Sequence, residues 1–452
     1  MFKLSETTRP WWVLVAASAV LGLVVLDETV VGVALPTMSA DLAMSQVESH
    51  WVVNAYLLTF TCFLAVGGKL GDMLGRRVVF PVGAGIFLLG SLLAGLAPSG
   101  GWLIAARAVQ GIGAAVTFPA SMAIVTHTFP PERRGMAFAV QTTLAGCFMA
   151  SGPLVGGVFA QTISWRWIFL INLPIVLLTV GALWLAYVEK PVTRAPGLFA
   201  RFDRAGLALL VGALTAITIG LMQATEWGWS SPAILTLLAG GLVLLAAFVG
   251  VELKRAAPLI ELDLLAISTF TGGNIVFAVF QFEKTIVFIF VALYLQHVLG
   301  RTPIESGLLV SIAIVPTLLT SRLAGRIRDA RGARGPLTLA LLLTALCVMA
   351  IGIGTVLRSE LLIGAVMVVW GAVMPGIAVT ARPALMGAVA LDKQGQASGV
   401  NLSIQMLGGT VAIAVCGTLL VATGAYWLVF LITGLCTLAA AGAAWLLVER
   451  PG

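Results

Sequence analysis

Long apolar runs, broken by short polar stretches, fill this chain from end to end. Each run is about 20 residues long and lacks the strict alternation of a lipid-facing strand, so each is read as a helix able to cross a bilayer. Turn residues and charges cut the pattern into fourteen such helices. Six lie between about 11 and 188, a pair covers about 205–226 and 232–251, and six lie between about 271 and 448. The first run, from Trp11 to Pro36, is too long for a signal-peptide core and has no convincing cleavage site, so it is read as a retained span.

Composition agrees and excludes whole classes of function. Of 452 residues 60% are apolar and only 10% charged, and the mean hydropathy is +1.05. A soluble domain carries about a quarter of its residues charged, so this surface is expected to face lipid, and no polar stretch is left to form a separate enzyme domain. The net charge of +7 points to cytoplasmic loops, which collect Lys and Arg, rather than to nucleic acid. Cys62, Cys147, Cys347, Cys416 and Cys436 all lie inside apolar runs without metal-ligand spacing and are read as small packed thiols.

Charge also orients the helices. With an even count both termini share a side, and placing them in the cytoplasm puts nearly all of the 26 basic residues there, Arg382 included. Arg166, Arg301 and Arg358 remain outside, with Arg107 and Lys284 inside spans. The expectation is a multi-pass protein of the bacterial cytoplasmic membrane with both termini inside.

The chain repeats itself. Gly68-Lys-Leu-Gly-Asp72-Met-Leu-Gly75-Arg76-Arg77 returns as Gly325-Arg-Ile-Arg-Asp329-Ala-Arg-Gly332-Ala-Arg334, with Asp, Gly and the last Arg at one constant offset. Both copies fall in cytoplasmic loops after the second helix of a half, the mark of two parallel six-helix halves. The domain reading is a six-helix bundle at 1–190, two extra helices with their linkers at 191–263, and a second six-helix bundle at 264–452. The fold class is all-α membrane protein.

The loop Gly68–Arg77 resembles the signature of the major facilitator superfamily. Leu26-Asp27-Glu28-Thr29-Val-Val-Gly32-Val-Ala-Leu-Pro36 resembles the first-helix motif of its 14-helix drug:proton antiporter branch. Arg107-Ala-Val-Gln110-Gly111 resembles the proton-coupling motif. Ser151-Gly152-Pro153-Leu-Val-Gly156-Gly157, followed by Ser164-Trp-Arg-Trp, resembles the antiporter motif of the fifth helix. The resemblance covers essentially the whole chain. It implies a cytoplasmic latch at the loop motif and a fifth-helix seal that distinguishes exporters from importers. Three positions depart from the pattern: Gly32 where Asn is common, Gln405 where a basic residue is expected, and Arg328 where the repeat has a small residue.

Residue chemistry supports candidate roles. In the loop, Gly68 and Gly75 permit tight turning, Asp72 accepts from an Arg or a helix N-terminus, and Arg76 and Arg77 suit the anionic inner leaflet. Asp329 repeats Asp72. The plainer reading is an ordinary positive loop. In helix five, Gly152, Gly156 and Gly157 allow close packing and Pro153 removes a backbone bond.

Charges within spans cost about 2.5–3.5 kcal/mol each or more, which singles out Asp27, Glu28, Arg107, Glu283 and Lys284. Counting from Pro36 and Gly101 puts Asp27 and Arg107 at about 13 and 9 Å from the outer face, close enough to pair. A carboxylate paired with Arg is a workable proton site. Glu28 lies about 100° around the helix from Asp27, and which of the two titrates stays open. Glu283 and Lys284 either serve transport or neutralise one another.

No nucleotide-binding loop occurs, so no cofactor is expected and an ion gradient must supply the energy. The functional expectation is a proton-coupled antiporter, not an enzyme, working as a monomer. Its cargo would be amphipathic, cationic drugs or toxic compounds, its partners protons and the bilayer, with no nucleic acid. The alternative is a dedicated exporter of a metabolite, antibiotic or lipid-like product. A membrane enzyme or receptor is disfavoured by the repeat and by the lack of catalytic clusters.

Overall fold

The computed structural model describes residues 8–187, 203–255, 258–259, 262–389 and 394–448. Among these the chain is helical throughout, with no strand. The first half runs α1 (Arg9–Asp41), α2 (Gln46–Leu74), α3 (Arg76–Gly95), α4 (Gly100–Thr128), α5 (Pro131–Thr162), α6 (Trp167–Leu170) and α7 (Asn172–Ala186). Then come α8 (Arg204–Trp227) and α9 (Pro232–Glu252). After a short 3-10 turn follow α10 (Ser268–His297), α11 (Pro303–Ser311), α12 (Ile314–Arg331) and α13 (Arg334–Val356). The chain continues with α14 (Glu360–Val373), α15 (Pro375–Gly387), α16 (Gln394–Thr423) and α17 (Tyr426–Leu447).

Thirteen stretches among the described residues are long and apolar enough to cross a membrane. Three of them join two helices across a break: α6 with α7, α11 with α12, and α14 with α15. The fourteenth helix of spanning length is α2, at 29 residues. Its stretch from Trp51 to Gly68 carries no charged residue. The start of α2 is fixed by a capping box, with the Glu48 N–H donating to Ser45 Oγ (3.2 Å) and the Ser45 N–H to Glu48 Oε2 (2.9 Å). Large apolar side chains point outward, Leu185 at 79% and Leu361 at 85% exposure. Such a surface suits hydrocarbon, and the helical backbone satisfies its own hydrogen bonds there. This is a multi-pass membrane protein.

The chain divides into two compact units, Met1–Asp203 and Arg204–Gly452. In the first, α1 packs on α5, and α4 on both α2 and α3. In the second, α10 packs on α16 and α17, and α13 on α17. The central pair α8 and α9 packs together, and α8 lies on α16, where Thr418 Oγ1 donates to the Leu221 carbonyl at 2.7 Å.

The sequence repeat is also a repeat of contacts. On α4, a Cβ at Gly111 would overlap the Tyr56 carbonyl of α2; on α14, a Cβ at Gly371 would overlap the Ala313 carbonyl at the start of α12. Tyr56 and Ala313 are separated by the same offset as Asp72 and Asp329. The two loop glycines match as well, with φ of +87° at Gly75 and +74° at Gly332, a region that side chains rarely adopt. Immediately after them, Arg77 lies over the Trp184 ring (5.1 Å) and Arg334 over the Trp445 ring (4.4 Å). One helix crossing, one turn and one cation–π contact therefore occur twice, once in each unit.

Candidate functional site

The first unit encloses a fully buried polar cluster. Asp27 on α1 is 1% exposed and Arg107 on α4 is 0% exposed. They form an ion pair through Arg107 Nη1 and Asp27 Oδ2. The other carboxylate oxygen, Oδ1, accepts from Gln110 Nε2 at 3.0 Å, and Arg107 Nη1 also donates to Gln110 Oε1 at 2.7 Å. Arg107 Nε donates to the Val52 carbonyl of α2 at 3.0 Å. The guanidinium is flanked by the Tyr56 ring (4.3 Å) and the Phe169 ring (5.7 Å). From Gln110 the network continues to Ser91 Oγ on α3 (3.0 Å), which Asn172 Nδ2 at the start of α7 also reaches (3.2 Å).

Helix geometry explains this convergence. Gln110 lies three residues after Arg107, so both side chains leave α4 on one face. Gly111, lying against the Tyr56 carbonyl, lets α4 approach α2 closely enough for Arg107 to reach Val52. A buried ion pair is tolerated only when its remaining donors and acceptors are also met, and Gln110, Val52 and the two rings do this. Gln110 entered the sequence reading only as a member of the Arg107–Gly111 motif, and Ser91, Asn172 and Tyr56 did not enter it. The spacing of Gln110 from Arg107 was the available signal.

Glu28, next to Asp27, is only partly buried and leaves α1 on another face. Thr29 completes the motif in an unexpected way. Pro153 has no N–H to offer the Met149 carbonyl one turn earlier in α5, and Thr29 Oγ1 donates to that carbonyl at 3.1 Å. Gly152 and Gly156 make this contact possible, since a Cβ on either would meet Thr29 Oγ1 or the Val30 carbonyl. Gly157 is buried beside them. The fifth-helix motif is thus the face on which α5 touches the acid-bearing stretch of α1. The second unit repeats the device: Pro375 frees the Gly371 carbonyl, and Thr317 Oγ1 donates to it at 2.7 Å.

In the loop motif, Gly68 and Arg76 lie at the facing ends of α2 and α3. The side chain of Asp72 lies outside the described residues. Arg77 binds Trp184, its Nη2 also donating to the Trp184 carbonyl at 3.4 Å. Asp329 is exposed and pairs with the adjacent Arg328 at 3.0 Å. The departure at Arg328 therefore supplies a neighbour for the second loop acid.

Glu283 on α10 is 1% exposed in the interior of the second unit. Trp370 Nε1 on α14 donates to its Oε1 at 2.5 Å and Thr437 Oγ1 on α17 to its Oε2 at 2.9 Å. Phe288 meets the Trp370 ring edge-on at 5.8 Å. Trp370 directly precedes Gly371, just as Gln110 directly precedes Gly111. Asp27 and Glu283 thus each accept a bond from the residue before a crossing glycine. Three residues earlier, the first unit has Arg107 and the second has buried Met367. Glu283 consequently sits among neutral donors, while Lys284 is buried beside it on α10. Arg382 lies within α15, five residues before its end at Gly387, because α15 continues through Pro383.

Comparison with known proteins extends the picture. The family model described as Major Facilitator Superfamily matches residues 17–413 and 274–452. Puromycin resistance protein pur8 of Streptomyces alboniger is 35% identical over 432 residues, covering 92% of this chain and 82% of that protein. The tetracenomycin C resistance and export protein of Streptomyces glaucescens is 30% identical, covering 91% and 76%. The methylenomycin A resistance protein of Streptomyces coelicolor is 31% identical, covering 94% and 90%. Among solved structures, a D-xylose-proton symporter superposes with a TM-score of 0.72 at 15% identity, covering 97% of this chain and 98% of that one, a likeness of fold alone. With a family model spanning most of its length and relatives this similar end to end, the chain belongs to the Major Facilitator Superfamily of transporters and fits its 14-helix drug:proton antiporter branch.

Proposed function

We propose that this protein exports amphipathic small molecules across the bacterial cytoplasmic membrane in exchange for protons, with both termini cytoplasmic. The observation that carries this reading is the buried Asp27, held between Arg107 and Gln110. The site has two arrangements. With Asp27 ionised, the carboxylate and guanidinium compensate each other. With a proton on Asp27, Arg107 keeps the Val52 carbonyl, Gln110 Oε1 and the Tyr56 face, which offset part of the cost of losing its counter-ion. A cationic group arriving near Asp27 competes for the same carboxylate and favours loss of the proton, which links cargo to proton exchange. The test uses proteoliposomes with ethidium as probe. An imposed pH gradient is expected to drive ethidium accumulation, and addition of ethidium to be met by measurable proton release. Accumulation that ignores the gradient would exclude proton coupling.

The relatives favour a second reading of the cargo. Three relatives are named for puromycin, tetracenomycin C and methylenomycin A, so a dedicated antibiotic exporter is the competing proposal. Glu283 helps to separate the two. If its charge serves cationic cargo, Glu283→Gln lowers ethidium transport about tenfold while neutral compounds change less than about twofold. Equal losses for both would assign Glu283 to packing, since Trp370 and Thr437 lose half of their acceptor in either case.

A further inference from the structure

Among the described residues of the second unit, Arg382 is a cation with no carboxylate paired to it. Arg382 lies inside the spanning stretch Glu360–Gly387, where a guanidinium cannot shed its charge. Its Nη2 donates to Gln405 Oε1 on α16 at 3.3 Å, and Gln405 Nε2 donates onward to Gln281 Oε1 on α10 at 3.3 Å. Its carbon Cζ stands 4.9 Å from the centre of the Phe277 ring. Among the described residues no carboxylate pairs with it. The buried Glu283 of this unit is engaged by Trp370 and Thr437 instead.

A guanidinium carries five N–H donors in a planar fork. Here one protein oxygen and one ring face meet it, and the group remains partly exposed. The direction of the amide chain matters as well. Gln405 Oε1 accepts from Arg382 and Gln281 Oε1 accepts from Gln405, so the chain turns an amide oxygen toward the guanidinium and holds it there. What is left around the guanidinium is a donor-rich, positively charged face beside an aromatic ring. Such a face accepts a planar or tetrahedral anionic oxygen group attached to an apolar body.

We infer that Arg382, oriented by Gln405 and backed by Phe277, is a binding site for the anionic oxygen group of an amphiphile. That group is either the acid of a transported molecule or the phosphate of an anionic phospholipid. The site is separate from the Asp27 cluster and does not depend on proton coupling.

The experiment is equilibrium binding to the purified full chain in nanodiscs, free of any gradient. Fluorescein serves as the anionic probe and rhodamine 6G as the cationic one, with retention of phosphatidylglycerol followed by native mass spectrometry. In phosphatidylcholine discs, Arg382→Gln is expected to weaken fluorescein binding about tenfold, the effect of one lost charge-assisted contact. Rhodamine 6G binding should stay within about twofold in the same variant, which also reports that it is folded. Arg382→Lys should recover part of the loss, and Gln405→Leu should weaken fluorescein about threefold through lost orientation. If adding phosphatidylglycerol lowers fluorescein affinity in the unsubstituted protein but not in Arg382→Gln, the site holds lipid phosphate. If it does not compete, the site holds the acid of cargo. Fluorescein binding and phosphatidylglycerol retention that are both unchanged in Arg382→Gln, or both absent from the unsubstituted protein, overturn the inference.

Discussion

Asp27→Asn is expected to leave the protein inserted and folded but to reduce gradient-driven export by about a hundredfold or more, the scale of losing an essential proton-transfer group. Asparagine keeps the shape and the oxygen that accepts from Gln110, but it can neither ionise nor take up a proton. It also leaves Arg107 as a buried charge without its counter-ion. Removing one partner of a buried pair costs about 3–5 kcal/mol, so lower stability is part of the expectation. The double variant Asp27→Asn/Arg107→Gln separates the two effects: it should regain stability, read from the thermal midpoint, without regaining export. Proteoliposomes in which Asp27→Asn still accumulates ethidium against its gradient at the unsubstituted level would remove Asp27 from the mechanism. A silent Asp27→Asn together with an inactive Glu28→Gln would move the role to its neighbour.

The second large effect concerns the contact between α1 and α5. Thr29→Val preserves volume but withdraws the hydroxyl donor from the Met149 carbonyl. A buried carbonyl left without a partner costs about 1–3 kcal/mol. If the contact couples the acid-bearing helix to the Pro153 turn of α5, export should fall about tenfold with little change in apparent cargo affinity, because a transition is impaired rather than a binding contact. Thr29→Ser should restore it. Pro153→Ala supplies a backbone N–H for Met149 and makes the threonine dispensable, so Thr29→Val and Pro153→Ala should not add in stability. Alone, Pro153→Ala should straighten α5 and reduce exchange in a folded protein. Strict additivity of the two changes would show that the hydroxyl and the proline act independently.

Much of the architecture could be read from the residues because bilayer-spanning helices announce themselves by length. The meeting of Asp27 and Arg107 followed from depth alone, since two residues at similar depth on neighbouring helices have few other places to go. Rotation of a helix about its axis is what the sequence hides. Glu283 is conspicuous as a charge, but nothing in its neighbourhood says that it faces Trp370 and Thr437 rather than Lys284. Ser91 and Asn172 are small polar residues of a kind common in spans, and only the assembled helices show that Ser91 accepts from both Gln110 and Asn172. Arg382 shows the same limit, since its place in the chain does not say that its side chain turns toward Gln405 and Phe277.

The threonine hydroxyls on freed carbonyls also limit how the helices can travel. A side-chain hydrogen bond running sideways between two helices tolerates a change of tilt, because the donor swings with its rotamer. It does not tolerate sliding, since moving one helix along the other by a single residue displaces the carbonyl by about 1.5 Å, beyond a sound hydrogen-bond distance. With α1 tied to α5 through Thr29 and Met149, and α12 tied to α14 through Thr317 and Gly371, piston-like shear within either pair is resisted. Each pair is left free to lean, so the motion available to it is a rocking of joined helices rather than a stroke of one along another.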